Sequence, residues 1–164
     1  MPDNPNEIRQ QVLNGREALR TALDQLLEQS QRTLLLFADD LDASLYSHDY
    51  FVERISSLAR NTRRPEIRLL LHRPSELLSQ QHRALPIIQR LSSLIEVKSL
   101  HQQYHGQHQS YVINDEPRML YQASSERYEA ILTEEKYRIA EMKKQFNQIW
   151  QQSTAAVELR RQML

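Results

Sequence analysis

Thr33-Leu34-Leu35-Leu36-Phe37-Ala38 is a short, continuous apolar run closed by Asp39-Asp40-Leu41-Asp42. A run this short without polar alternation marks a strand buried on both faces. Ile67-Arg68-Leu69-Leu70-Leu71-His72 is a second of the same kind. Between them Phe51, Val52, Ile55, Leu58 and Ala59 share one helical face, with Asp49 placed to cap it and Asn61-Thr62-Arg63-Arg64-Pro65 to end it. Upstream, Ala18, Leu19, Ala22, Leu23, Leu26 and Leu27 recur at helical spacing to about Gln29. Asn14 and Glu17 form its expected capping pair, and Ile8, Val12 and Leu13 make a small apolar patch ahead of it.

Downstream of the second run, Pro74 opens a helical stretch through Leu77, Leu78, Leu85, Ile87, Ile88 and Leu91, and Leu94-Ile95-Glu96-Val97-Lys98 alternates as a third strand. Residues 101–107 are rich in His and Gln and read as a loop. Residues 108–114 and 118–122 read as strands joined across Asp115-Glu116-Pro117. Ile139, Met142, Phe146, Ile149 and Trp150 stripe a long terminal helix. This order predicts an α/β fold with a mixed, partly parallel sheet, helices on both faces and a late antiparallel hairpin. One domain is expected over residues 1–152. Residues 153–164, with Val157, Leu159 and Leu164, form a C-terminal tail that packs back or serves self-association.

Composition narrows the function. At 164 residues the chain suits one ordinary domain, and its 21 basic and 21 acidic residues give no net charge to draw it to nucleic acid or a membrane. With no cysteine there is no disulfide, thiolate nucleophile or cysteine-ligated metal. The only glycines, Gly15 and Gly106, lie too far apart for a phosphate-cradling loop. The start, Met1-Pro2-Asp3-Asn4-Pro5-Asn6-Glu7, has neither a basic nor an apolar targeting segment, so the expectation is a soluble, cytoplasmic protein without a cofactor.

His108-Gln109-Ser110-Tyr111-Val112-Ile113-Asn114-Asp115 resembles the signature of a phospholipase D half-module, His-x-Lys followed by four residues and Asp, with Ser110 where the lysine belongs. Ala123-Ser124-Ser125 stands where that family has a Gly-Ser pair, and Phe146 with Trp150 resembles its closing helix. Leu41-Asp42, Leu45-Tyr46, Arg90-Leu91-Ser92-Ser93, Leu120-Tyr121, Ser125-Glu126-Arg127-Tyr128 and Glu158-Leu159-Arg160-Arg161 more closely resemble a bacterial domain of this fold that is sometimes fused to GNAT-type acyltransferases.

The resemblance implies a phospholipase D-like fold whose active members use one histidine to attack phosphorus, another to protonate the leaving group, and lysines to hold the charged oxygens. Serine supplies no charge, so it carries the shape across and not the activity: no catalytic residue is expected. His108 with Asp115 is the alternative pair, and Arg73 or Arg118 the substitute cation, should a residual phosphodiesterase or nuclease survive. As half-modules of the family commonly pair, a homodimer is one expected partner, and an acyltransferase is another.

Ligand-binding candidates are Asp40, His72, Arg73, His108, Ser110, Tyr121 and Arg127, because ligand sites form at the strand ends of α/β sheets. Asp39 and Asp42 share that position, although carboxylates after a strand are usually turn and cap residues. His101, His105 and His108 have a spacing that invites zinc, but Gly106 interrupts it and no metal site is expected. Arg60, Arg63, Arg64 and Arg68, and Arg160 with Arg161, are basic clusters without the interleaved aromatics of a nucleic-acid platform, and read as solvated surface.

Overall fold

The computed structural model describes residues 9–160, which places Ile8, Arg161 and Leu164 outside the described part. Its strands are β1 (Gln10–Asn14), β2 (Thr33–Ala38), β3 (Glu66–Leu71), β4 (Ile95–Ser99), β5 (Ser110–Asn114), β6 (Met119–Gln122), β7 (Glu129–Thr133) and β8 (Thr154–Ala155). The helices are α1 (Arg16–Gln29), α2 (Ala43–Tyr46), α3 (Asp49–Asn61), α4 (Glu76–Ser79), α5 (Leu85–Arg90) and α6 (Lys136–Gln152). The strands form one sheet ordered β1-β7-β6-β5-β2-β3-β4-β8. β2, β3 and β4 run parallel, and every other pairing is antiparallel. The mixed, partly parallel sheet is therefore as the sequence predicts.

Alternation along β2 divides the core. Leu34, Leu36 and Ala38 face the layer that holds α1 to α5, whereas Leu35 and Phe37 face α6 through Ile139, Phe146, Ile149 and Trp150. All six residues of β2 are buried, as expected of a central strand covered on both sides. Phe37 stacks on Tyr111, and Tyr111 meets Phe146 edge-on, so the apolar stripe of α6 seats directly on the sheet.

Several local expectations need correction. The patch at Val12 and Leu13 is strand β1, paired to the equally unforeseen β7. Asn14 therefore does not cap α1: Gly15 holds the N-cap at φ 98°, a left-handed region open to glycine, where the chain turns from strand to helix. His48, not Asp49, caps α3, with its Nδ1 accepting from Phe51 N at 3.3 Å and its Nε2 donating to the Leu45 carbonyl at 2.8 Å. Asp49 is the first helical residue and pairs with Arg83 at 2.9 Å. The helical stretch after Pro74 breaks into α4 and α5 around Gln81, which has φ 49°. His108 precedes β5 instead of lying in it.

After α6 the chain turns back: Thr154 and Ala155 pair with Ser99 and Lys98, and Leu159 is buried. Among the described residues no helix is long and apolar enough to cross a membrane.

Candidate functional site

The mixed topology brings distant segments to one edge of the sheet. β2 and β3 end there in Asp39 and in His72-Arg73, while antiparallel β5 begins there after His108 and β6 ends there at Gln122. Backbone bonds lock these ends together: His72 N donates to the Ala38 carbonyl at 3.1 Å, Arg73 N to the Asp39 carbonyl at 2.7 Å, and Ser125 N to the His108 carbonyl at 2.8 Å. The result is a polar pocket of about 200 Å³ whose lining includes Asp39, Asp40, Arg73, His108, Ser110 and Gln122.

Asp39 is its hub. One carboxylate oxygen lies 3.5 Å from His72 Nδ1; the other accepts from Ser125 Oγ at 2.8 Å and lies 3.5 Å from His108 Nδ1. The carboxylate is 10% exposed and the His108 side chain 64% exposed, so a largely solvent-exposed imidazole sits beside a buried carboxylate. His72 in turn packs on His105, with ring centroids 4.2 Å apart, and His105 Nε2 meets the Leu100 carbonyl at 2.8 Å.

The remaining charges are held close by. Arg73 binds Asp40 at 3.2 Å. Asp42 caps α2 through Ser44 N at 2.8 Å and accepts from Tyr128 Oη at 2.7 Å. Tyr46 also lines the pocket, and burial, reinforced by Asp42, pushes its phenol well above the usual tyrosine range, so it stays protonated. Ser110 is buried at 5% exposure and carries no charge into the site.

Asp40, Arg73, His108 and Ser110 thus line one pocket, and His72 reaches it through Asp39. Tyr121 does not: it faces α6, stacks on Tyr111 and donates to Gln109 Oε1 at 3.0 Å. Arg127 contributes its backbone carbonyl to Gln122 Nε2 at 3.0 Å, and its side chain is absent from the pocket wall.

Asp115 lies beyond the opposite end of β5 and accepts from Gln31 N at 3.0 Å, so strand length separates it from His108. Arg118 is committed to Glu134 at 2.6 Å. Gln122 and Ser125 line the candidate site, and Tyr128 supports it through Asp42, although sequence reasoning did not pick them as ligands. The signals for Ser125 are its place at the Gly-Ser position and, with Tyr128, the stretch Ser125-Glu126-Arg127-Tyr128. Among the described residues no cluster of His, Asp or Glu is arranged to hold a metal ion.

The chain belongs to the family described as Domain of unknown function (DUF7931), whose model matches residues 15–162. No curated protein matches it. Among solved structures it is similar to Nuc, a phospholipase D family member from Salmonella typhimurium, with a TM-score of 0.63 at 11% identity over 91% of this chain and 98% of that one. It is similar to NucT from Helicobacter pylori, with a TM-score of 0.59 at 11% identity over 91% and 99%. It is also similar to TrmBL2, an archaeal chromatin protein described as having a novel mode of DNA binding, with a TM-score of 0.63 at 20% identity over 93% of this chain. The chain spans about half of that protein, 55% of its length. At such identities the likeness concerns the fold, which is phospholipase D-like.

Proposed function

We propose that this domain is a non-catalytic binding module, a phospholipase D-like frame whose strand-end pocket holds a ligand without cleaving a phosphodiester. The observation that carries the reading is the charge at the pocket wall: Ser110 stands where the related signature has lysine, and the pocket's one guanidinium, Arg73, is tied to Asp40 at 3.2 Å. Phosphoryl transfer needs fixed positive charge on the oxygens that become more anionic in the transition state. His108 over Asp39 has the form of an oriented imidazole, but an oriented imidazole alone leaves that charge unmet. In the experiment that tests this, bis-p-nitrophenyl phosphate in EDTA is hydrolysed by the wild type no faster than by His108→Ala. Metal-independent turnover that the substitution abolishes would instead make the domain an enzyme.

A second reading, assembly with another copy, has its own support at β1. Outermost among the described strands, it reads Gln10-Gln11-Val12-Leu13-Asn14, without charge or proline of its own. Gly15 N donating to Tyr128 O and Glu134 N to Arg9 O fix the alternation, so Gln10, Val12 and Asn14 turn their backbone groups outward. Val12, 68% exposed at the strand's centre, would meet its own copy across a two-fold axis. Light scattering is expected to give a dimer that Val12→Lys dissociates. A monomer at every concentration would refute it.

A further inference from the structure

The pocket's lining says more about its ligand than that there is one. Ser110 and Gln122 sit opposite each other in the β5–β6 register, are 5% and 6% exposed, and both line the cavity. Among the described residues Ser110 Oγ meets no hydrogen-bond partner. Gln122 spends its Nε2 on the Arg127 carbonyl, which leaves Oε1 as a free acceptor. Both atoms open on the cavity with hydrogen-bonding capacity that the fold itself does not use, which leaves them available to a bound molecule.

The surrounding charge selects what that is. Asp39, Asp40, Asp42 and Glu126 bring four carboxylates to the wall against the single guanidinium of Arg73. A phosphate or carboxylate would add like charge to that wall. An ammonium group offers three donors and no acceptor, the complement of Ser110 Oγ, Gln122 Oε1 and the Asp40 carboxylate oxygen that Arg73 does not take. A bare metal ion fits less well, because no group of side chains converges as a ligand set among the described residues. About 200 Å³ admits only a small molecule.

We propose that this pocket binds a small primary amine through its ammonium group. The proposal rests on the reading of the pocket as a binding site and gives that site a ligand class.

Titration calorimetry of the full chain at mildly alkaline pH and low salt tests it, with putrescine and inorganic phosphate as probes. Saturable putrescine binding is expected, weakened roughly tenfold or more by Asp40→Asn and by Ser110→Lys, as removal or reversal of a charge-assisted contact requires. Glu141→Gln, on the exposed side of α6, serves as the control and leaves binding unchanged. Phosphate gives no heat with the wild type.

Putrescine binding that Asp40→Asn and Ser110→Lys leave intact, the absence of putrescine binding, or wild-type affinity for phosphate would each overturn the amine assignment. If His108-dependent phosphodiester turnover also appears, the binding-module reading fails with it. Without such turnover, only the ligand class falls.

Discussion

Asp39 and His108 are held 3.5 Å apart by elements far separated in sequence, and the same carboxylate oxygen accepts from Ser125 at 2.8 Å. An imidazole Nδ1 facing a carboxylate is its donor, so neutral His108 should carry its proton on Nδ1 and present Nε2 to solvent. Long-range 1H–15N spectra report the tautomer directly. The Nδ1–H form is expected in the wild type and a mixture in Asp39→Ala. Wild-type His108 in the Nε2–H form would contradict the geometry. Asp39→Ala should also cost about 1–3 kcal/mol in denaturant unfolding, because the Ser125 hydroxyl loses its acceptor and two imidazoles lose the carboxylate beside them.

His82 supplies a pH dependence away from the pocket. It is buried, its Nδ1 accepts from Ala84 N at 3.0 Å, and burial pushes its pKa below the ordinary histidine value, against smaller opposing effects of the Leu41 carbonyl and Asp40. The unfolded chain therefore binds this proton more readily than the folded one. Stability contributed by neutral His82 is whole above about pH 6.5, declines as pH falls below it, and levels off below the depressed folded value. Urea unfolding across this range should show the decline, and His82→Gln should flatten it.

Trp150 is the sole tryptophan, so its surroundings can be read by fluorescence. Lys98 donates to its carbonyl at 2.9 Å and lies 4.7 Å from its ring centroid, while the Arg68 guanidinium lies 5.2 Å from it. Lys98→Met keeps the aliphatic stem but removes both interactions. It should destabilise the protein by about 1–2 kcal/mol and shift the emission maximum. An unchanged spectrum and midpoint would show that the lysine contributes neither.

Asn114 is fully buried and ties the late hairpin to α1. Its Oδ1 accepts from Glu116 N and Arg118 N at 3.1 and 2.8 Å, and its Nδ2 donates to the Leu26 carbonyl at 3.0 Å. Asn114→Leu leaves the Glu116 and Arg118 amides without this acceptor, while the Leu26 carbonyl keeps the Ser30 hydroxyl at 2.9 Å, and should cost about 2 kcal/mol or more by chemical denaturation.

Much of the architecture is legible because its signals are local. The unbroken runs of β2 and β3 and the stripe of α6 declare themselves within a few residues. β1 and β7 do not: Gln10-Gln11 and Glu129 dilute their apolar content, and they are strands by virtue of their pairing, β1 with β7 and β7 also with β6. β8 is two exposed residues defined wholly by its register with β4.

The pocket divides the same way. Asp40, His72 and Arg73 are visible as groups following buried strands, and His108 and Ser110 through the resemblance to the phospholipase D signature. Gln122 is hidden because antiparallel strand ends carry no such mark, and Ser125 shows only through the motifs it resembles. Tyr121 differs from Gln122 by one residue and so by one face of the sheet, which takes it to α6. Asp115 belongs to the signature in sequence but to the far end of the strand in space.

Labelled single-stranded DNA, incubated with the purified chain in EDTA and sized over time, tests most directly the claim that a phospholipase D-like pocket without its lysine has lost its chemistry. Full-length strand is expected throughout, with wild type and His108→Ala indistinguishable. Shortened products that accumulate with the wild type and vanish with His108→Ala would contradict it.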